Sequence, residues 1–417
     1  MFSLDKKAPV VRFKGFEDEW EQRKLGDMVD RLKSYSLSRD VETSEETGIK
    51  YIHYGDIHTK VADKITRKSN LPTIKNGIYE SLQKGDLILA DASEDYQGIA
   101  TPSIIIEDMA FQIVAGLHTI AIRPIEVDSI YLYYLINTQT FRRHGYRVGT
   151  GMKVFGISVK NIMNFTTLFP SYEEQVKTGS LLLRIEKTIA LHQRKLETLK
   201  QLKKGFLQKL FPKNQENVPE IRFANFQAEW EQRKLDEISD KVTEKNINNE
   251  FTETLTNSAE YGIINQREFF DKDISNKKNL NGYYVVRKDD FVYNPRISNY
   301  APVGPIKRNK LGRTGVMSPL YYIFRTHNID KTFLEYYFDT TIWHRFMKLQ
   351  GDSGARADRF AIKDSVFKTM PIPSPSIEEQ EKIGCIFKVI DDTVALHQKK
   401  LEQLQLLKSG LLQKMFI

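Results

Sequence analysis

The stretch PVVRFKGFEDEWEQRKL, residues 9–25, decides the fold because it occurs a second time as PEIRFANFQAEWEQRKL, residues 219–235. The two copies lie 210 positions apart and share the run EWEQRKL without a change. Internal repetition at a long period indicates that one structural unit has been built twice. The chain is therefore expected to contain two related modules.

A second repeated segment closes each module. The matching pairs are EEQ at 173–175 and 378–380, ALHQRKLE at 190–197 with ALHQKKLE at 395–402, and QKLF at 208–211 with QKMF at 413–416. The offset here is 205 rather than 210, so the stretch between the repeated segments is five residues shorter in the second half. Each half is thus a common frame around an insert of its own.

The two inserts are almost unrelated in sequence, apart from faint echoes such as KGDL at 84–87 against KDDF at 288–291. Asp289 stands where the first half has Gly85, and we expect the two loops to differ in geometry there, because glycine adopts conformations that side chains disfavour. Drift without a function would have eroded the frame as well as the inserts. The pattern therefore favours two modules that do one job on two different targets.

The closing segment of each half has the properties of a long helix. Residues 173–210 contain no proline and consist mainly of good helix formers. Ser171 with Glu174, and Ser376 with Glu379, have capping-box spacing. Steps of three and four between the seam positions give the heptad pattern of a coiled coil. The predicted seam consists of Ile189, His192, Leu196, Leu199 and Phe206 in the first helix and Val394, His397, Leu401, Leu404 and Leu411 in the second.

Polar residues also occupy the seam, namely His192 and His397 together with Lys203 and Lys408. A metal site would need more ligands at matching spacing, and the sequence offers none. We interpret these residues as setting the register or meeting a partner helix. Because the second helix starts from the second insert, it must run back to pair with the first. This predicts an antiparallel pair, with the carboxyl terminus returning to the first insert beside the amino terminus.

These patterns predict an α+β (mixed) fold of two pseudo-symmetric α/β heads joined by a long antiparallel two-helix coiled coil. The inserts should lie near opposite ends of the helix pair. Strand-like runs at 86–90 and 283–286, and helix-like runs at 131–136 and 333–338, support mixed heads. The expected boundaries are 1–170 for the first head, 171–212 for the first helix, 213–375 for the second head and 376–417 for the second helix.

Composition narrows the class of function. A net charge of +8 and a pI of about 9.1 favour a polyanionic partner, although many basic proteins bind no nucleic acid. No apolar run approaches the ~18 residues that a membrane helix needs, and the first residues lack a signal-peptide pattern, so we expect a cytoplasmic protein. The single cysteine, Cys385, excludes a disulfide framework and a Cys-rich zinc site. We expect it to be a buried, inert thiol.

Polar loops in each insert are the candidate DNA-reading surfaces. Arg and Lys match guanine edges and phosphates, Asn matches adenine, and aromatic rings stack on bases. For any single residue a solvated loop is the simpler interpretation, but an Arg-bearing, Gly-rich turn recurs in both halves. The candidates are Ser93, Tyr96, Arg142, Arg143, Arg147 and Lys153 in the first head and Arg296, Ser298, Asn299, Tyr300, Arg356 and Arg359 in the second.

Catalytic motifs are not found in the sequence. An amino-methyltransferase that uses S-adenosylmethionine carries an Asp/Asn-Pro-Pro-aromatic tetrad, and the nearest match, NPRI at 294–297, lacks the second proline and the aromatic residue. GTG at 149–151 follows a helical run and has the wrong spacing for a dinucleotide-binding loop. The sequence contains no phosphate-binding loop and no metal or nucleophile constellation. We therefore expect a non-catalytic chain without a metal or cofactor of its own.

The whole chain resembles the specificity-subunit family of type I restriction–modification systems. The resemblance rests on the duplicated order of motifs rather than on any one of them. These motifs are Phe16-x-x-x-Trp20-x-x-x-Lys24-Leu25 and Phe226-x-x-x-Trp230-x-x-x-Lys234-Leu235, which open the heads, and PSYEEQ at 170–175 and PSIEEQ at 375–380, which close them.

The resemblance implies two target-recognition domains, each reading one half of a split double-stranded DNA site. It also implies that the helices act as a spacer and dock two methyltransferase subunits, with restriction and translocase subunits joining outside. S-adenosylmethionine, ATP and Mg²⁺ would then belong to those partner subunits, which carry the adenine methylation and cleavage activities. One alternative is a coiled-coil adaptor with two protein-interaction heads that binds no DNA. A self-contained modification enzyme is the other, and it would bind the cofactor alone.

Overall fold

A computed structural model describes residues 8–95, 98–151, 154–213, 216–270, 280–352 and 358–417. The chain divides into two units by its internal contacts. The first unit consists of residues 1–193 and 399–417, and the second of residues 194–398. Each unit thus combines one insert with a part of both long helices.

The first half of the chain contains short strands, short helices and one long helix. Its strands are β1 (Glu21–Lys24), β2 (Val29–Arg31), β3 (Ile49–Ile52), β4 (Lys64–Ile65), β5 (Leu87–Ala90), β6 (Ala92–Ser93), β7 (Pro102–Ile105), β8 (Gln112–Ala115), β9 (Thr119–Pro124), β10 (Phe155–Gly156) and β11 (Thr166–Phe169). Its helices are α1 (Tyr54–His58), α2 (Ser129–Ile136), α3 (Gln139–Val148), α4 (Val159–Met163) and α5 (Tyr172–Lys209), with 3₁₀ turns at Leu25–Asp27 and Arg39–Val41.

The second half repeats this plan. Its strands are β12 (Glu231–Lys234), β13 (Ser239–Lys241), β14 (Leu255–Ser258), β15 (Gly262–Asn265), β16 (Tyr284–Val286), β17 (Phe291–Tyr293), β18 (Ile306–Arg308), β19 (Gly315–Met317), β20 (Tyr322–Thr326) and β21 (Pro371–Ser374). Its helices are α6 (Gln266–Phe270), α7 (Lys331–Phe338), α8 (His344–Gln350), α9 (Asp364–Phe367) and α10 (Ile377–Lys414), with a 3₁₀ turn at Leu235–Glu237. The predicted mixed α/β heads and the two long helices are confirmed.

The main sheets of the two heads share the order of four strands, and the first head adds a fifth strand, β4. In the first unit the order is β2-β9-β5-β7-β4, and in the second it is β13-β20-β17-β18. Leu87 of β5 lies opposite Ile122 of β9, just as Phe291 of β17 lies opposite Phe324 of β20. The inserts therefore share a backbone plan that their sequences barely reveal.

The turn before the central strand is also shared, contrary to our expectation for Gly85 and Asp289. Both residues have left-handed backbone angles, with φ of 94° and 69°. Asp tolerates this conformation better than most residues with a side chain, so the turn is kept although Asp stands in the place of Gly. The aspartates that follow, Asp86 and Asp290, are buried, and each forms a bidentate ion pair with an arginine, Arg123 or Arg325.

The repeated opening segment of each half joins the start of an insert to its end. Strand β1 pairs with β11 so that Lys24 lies opposite Thr166, and β12 pairs with β21 so that Lys234 lies opposite Pro371. Trp20 lies next to this ladder in the chain and is 4% exposed. The EWEQRKL run thus supplies the strand that pairs with the last strand of each insert.

The long helices α5 and α10 each contain 38 residues. The predicted capping boxes form only in part. The backbone N–H of Glu174 donates to the Ser171 hydroxyl at 3.4 Å, but the Glu174 carboxylate binds Arg12 at 2.8 and 2.9 Å instead of turning back to the cap. The Arg12 side chain comes from the repeated opening segment, so this ion pair ties the frame to the helix start. Glu379 and Arg222 repeat the arrangement.

In the first unit the end of α10 packs against the beginning of α5 in the opposite direction. Leu182 belongs to the same core as Met415, whereas Glu186, one turn further along α5, binds Lys408. Phe416 stacks on Tyr131 of the first head with ring centroids 5.0 Å apart. Because the backbone N–H of Val11 also donates to Lys414 (3.0 Å), the predicted return of the carboxyl terminus to the amino terminus is confirmed.

In the second unit the same antiparallel pairing is made by the other ends of the two helices. Lys203 of α5 binds Asp391 of α10 at 2.7 Å, and Phe211 stacks on Phe387 with centroids 6.1 Å apart. The seam lysines Lys203 and Lys408 thus occupy equivalent positions and carry equivalent ion pairs. Seam residues of both helices are buried or half-buried: Ile189, His192, Leu196, Leu199, Phe206, Val394, His397, Leu401, Leu404 and Leu411.

The cysteine prediction is wrong. Cys385 lies on α10 between the buried residues Ile383 and Phe387, but its own side chain is exposed. A helix turns by about 100° per residue, so a residue that lies two positions from each of two core residues points away from the core.

Candidate nucleic-acid interface

The two candidate loops of the second head, which lie far apart in sequence, meet in one β-bridge. Arg296 and Arg359 are directly opposite each other in this bridge. The backbone N–H of Ile297 donates to Asp358 at 3.0 Å, and that of Phe360 donates to Pro295 at 2.8 Å. Both arginine side chains are exposed. The backbone pairing therefore presents two cations from separate loops side by side.

A tight turn follows Arg296 and carries the other candidates of this head. The Ser298 hydroxyl accepts a hydrogen bond from the backbone N–H of Ala301 at 3.2 Å, so it closes the turn. Asn299 and Tyr300 lie at its tip, and 80% of the Tyr300 surface is exposed. An exposed aromatic ring beside an amide and two cations is suited to contact nucleotide bases and phosphates.

The first head also pairs its own two candidate loops, in a register shifted by two residues from that of the second head. Strand β6 pairs with β10, with Ser93 opposite Phe155, and Gly156 pairs in turn with Thr150. The helix before each loop ends alike: the backbone N–H of Gly149 donates to Gly145, and that of Gly351 donates to Met347, both at 2.8 Å. The candidate loops of each half therefore belong to one repeated substructure.

The first-head candidates differ in accessibility. Arg143 and Arg147 are exposed on α3. Ser93 is 6% exposed, and its hydroxyl accepts from the N–H of Asp95 at 3.3 Å. The Arg142 guanidinium donates to the carbonyl of Ile99, and burial lowers its pKa. Because Ser93 and Arg142 are occupied within the head, their positions favour structural roles. Three further candidates, Tyr96, Lys153 and Arg356, lie outside the described residues.

A polar cluster beside the first ladder was missed by the sequence analysis. His118 lies in the turn between β8 and β9 and contacts Asp91, which directly precedes β6. Tyr54 and His58 of α1 lie next to it. These residues are scattered over three segments, and no spacing rule connects them. Only the order of the strands brings them to the edge of the ladder formed by β6 and β10.

The side-chain chemistry of the exposed candidates suits contact with a nucleic acid. In the described part of the chain, no group of three or more His, Cys, Asp or Glu side chains could hold a metal ion. Nor does any helix there have both the length and the apolar content needed to cross a bilayer. The exposed candidates of the two heads carry guanidinium, amide and phenol groups, which donate hydrogen bonds to phosphates and base edges.

A second surface feature recurs on the long helices. Leu191 of α5 and Leu396 of α10 occupy equivalent positions, and they are 64% and 67% exposed. Leu202 and Leu407 form another equivalent pair, 43% and 49% exposed. A single exposed leucine is common on protein surfaces, but exposure at matching positions of two repeated helices is a repeated apolar feature.

Comparisons with known proteins identify the family. The profile of the type I restriction modification DNA specificity domain matches residues 17–201 and again residues 227–406. The type I restriction enzyme MjaVIII specificity subunit of Methanocaldococcus jannaschii is 22% identical over 95% of this chain and 91% of its own length.

A second relative from that organism, the putative MjaX specificity subunit, is 23% identical over 95% of this chain and 92% of its own length. Among solved structures, the type I restriction–modification S subunit from M. genitalium superposes with a TM-score of 0.56 at 14% identity, covering 98% of this chain and 99% of that one. At this identity the superposition supports the fold.

Proposed function

Because the chain belongs to the type I restriction modification DNA specificity family, and is the subunit that recognises the DNA target, we propose that each of its two heads reads one half of a bipartite site. The observation that carries this proposal is the ladder present in both heads, which displays different side chains in each. Exposed donors accompany the ladder in both heads: they lie on the ladder itself in the second head and on α3 in the first.

The proposed contacts are the exposed candidates. In the second head these are Arg296 and Arg359 on the ladder, with Asn299 and Tyr300 at the adjoining turn. In the first head they are Arg143 and Arg147 on α3. We omit Ser93 and Arg142 because they are engaged within the head, and Ser298 because it closes its own turn. Tyr96, Lys153 and Arg356 remain proposed contacts on sequence grounds alone.

The chain itself is proposed to be non-catalytic and to bind two methyltransferase subunits through its long helices. Leucines exposed at equivalent positions of α5 and α10 support two binding sites of the same kind. Restriction and translocase subunits would join the same complex in the cytoplasm. S-adenosylmethionine, ATP and Mg²⁺ would be bound by these partners, and adenine methylation and cleavage would be their activities.

A paired set of variants tests the reading surfaces. R296A/R359A should weaken recognition of the second half-site by about 1–3 kcal/mol if either arginine makes a good base contact. R143A/R147A should do the same at the first half-site, so each double variant is the control for the other. The measurement is methylation by the complete complex of a plasmid library in which both half-sites are randomised.

Three outcomes of this experiment are informative. A loss confined to positions of one half-site supports base reading. A uniform loss over all sequences, with a smaller dependence on salt, would identify phosphate contacts and overturn the base-reading assignment. If the wild-type complex pulled down a methyltransferase normally but showed no DNA sequence preference, the adaptor function would be favoured instead.

The methyltransferase sites are tested by charge placed on the helices. L191D/L396D puts a carboxylate at both equivalent positions without touching the seam. We expect fewer methyltransferase subunits per chain in native mass spectrometry, while the unfolding temperature of the isolated chain changes little. E197Q/E402Q, on the same repeated segment, is the control. Undiminished binding of two methyltransferases to L191D/L396D would rule these leucines out of the interface.

A further inference from the structure

The turn between β8 and β9 places His118 directly beside the strand that leads into the reading ladder of the first head. The backbone N–H of Asp91 donates to the His118 carbonyl at 3.1 Å, and the His118 Nδ1 lies 3.1 Å from the Asp91 carboxylate. Two contacts thus hold one residue against the other. The imidazole is still 51% exposed, so its orientation is fixed although its outer edge is open to a ligand.

Helix α1 supports this histidine from the other side. The Tyr54 ring meets the His118 ring edge-on, with centroids 5.4 Å apart, and the backbone N–H of Tyr54 donates to Leu117 at 3.2 Å. His58, at the end of α1, has its Nε2 2.8 Å from the Ala92 carbonyl of β6. The cluster is therefore continuous with the ladder that carries the proposed contacts of this head.

The second head has different chemistry at the equivalent place. Strand β17 corresponds to β5, so Pro295 stands where the first head has Asp91. The turn before β20, which corresponds to the one that holds His118, exposes Leu320 at 59%. Positions that share a backbone frame and differ in side-chain chemistry between the heads are those expected to distinguish two half-sites.

We propose that His118, oriented by Asp91, reads a base edge in the first half-site; this inference rests on the proposed function. In the tautomer that places the proton on Nδ1, facing the Asp91 carboxylate, Nε2 is the hydrogen-bond acceptor. The complementary group on DNA is an exocyclic amino group, found on the major-groove edge of adenine or cytosine. His118 is thus a specificity residue, and Asp91 is its positioning residue.

The choice of variants follows from the backbone. His118 has φ of 55°, a left-handed conformation in which alanine would be strained but glycine and asparagine are at ease. H118G removes the imidazole, and H118N replaces it with a shorter amide in the same conformation. D91N removes the charge that holds the ring. K84A is the control, because Lys84 is an exposed cation at the other end of β5.

The experiment is methylation of a half-site library by the complete complex that contains each variant, with the unfolding temperature measured alongside. We expect H118G and H118N to lose preference about tenfold at a single position of the first half-site. D91N should affect the same position more weakly, and K84A should affect none. Every variant should retain the preference at the second half-site.

Other results would overturn the inference. An unchanged base preference in both H118G and H118N, with normal stability, would leave His118 as a surface residue. A loss spread evenly over all sequences would make it a phosphate contact. If the wild-type complex itself read no bipartite site, the proposed function would fail first, so the two failures are distinguishable.

Discussion

Replacing Phe416 by alanine should loosen the first unit, although this residue lies almost 250 positions beyond the end of the first head in the sequence. Phe416 is 6% exposed and stacks on the buried Tyr131. Truncation of a buried phenylalanine to alanine typically costs about 3–5 kcal/mol. The expected destabilisation of the first unit is therefore of that order.

The size of this loss can be measured by hydrogen exchange. A fall of about 3–5 kcal/mol in the free energy of opening corresponds to roughly two to four powers of ten in the exchange rate of amides that exchange by opening of the unit. F416A should accelerate exchange in β5 and β9 and leave β17 and β20 nearly unchanged. The comparison needs mass spectrometry of peptides from both heads at one pH and temperature.

The matched control is the equivalent residue of the first helix. Phe211 is 1% exposed and packs on Phe333 and Phe387 in the second unit. F211A should therefore accelerate exchange in β17 and β20 and spare β5 and β9. If F416A instead accelerated hydrogen exchange in the second head, or in both heads equally, the assignment of the carboxyl-terminal residues to the first unit would be refuted.

Three further predictions test the helices and one half-buried histidine. Residues 1–212 alone should form a homodimer in light scattering, because each copy needs a second antiparallel helix; a folded, strictly monomeric fragment would contradict this. The ion pair of Lys203 and Asp391 can be tested by a double-mutant cycle, in which K203E and D391K should each destabilise the second unit. The variant with both exchanges should recover up to about 1 kcal/mol of the free energy of unfolding. A coupling energy of zero would show that the pair contributes nothing. Burial lowers the pKa of His344 from 6.5 to about 4, so the folded state favours the neutral ring. The free energy of unfolding should therefore fall by about 1–2 kcal/mol between pH 7 and pH 5, which a lower unfolding temperature would show. H344Q should remove that part of the pH dependence.

The repeated frame was predictable from the sequence because its residues do the same physical work twice. The seam spacing of α5 and α10, their ends and their antiparallel direction follow from heptad periodicity and from the order of segments. The return of Phe416 to the first head follows from the same order. Such features depend on local periodicity and chain connectivity, which a sequence displays directly.

The inserts were much less predictable, since their shape depends on contacts between distant strands. The bridge between Arg296 and Arg359 joins two loops that no local signal connects, and the cluster around His118 comes from three segments. Burial also removed candidates that looked suitable by residue type, such as Arg142. The geometry of the turn at Asp289 was predicted wrongly for another reason. The fold imposes a left-handed backbone conformation at this position, and it does so although Asp is less favourable there than Gly.

Each insert enters and leaves the frame at neighbouring points, since β1 pairs with β11 and β12 with β21. Paired strands lie about 5 Å apart, so the two junctions of an insert are almost in contact. A recombination event with one crossover in EWEQRKL and another near the start of the long helix would exchange a complete insert and leave the long helices intact. Because EWEQRKL is identical in both halves, such an exchange would leave this strand of the frame unchanged. On the proposed function, exchange of an insert would give a new DNA specificity without a new fold.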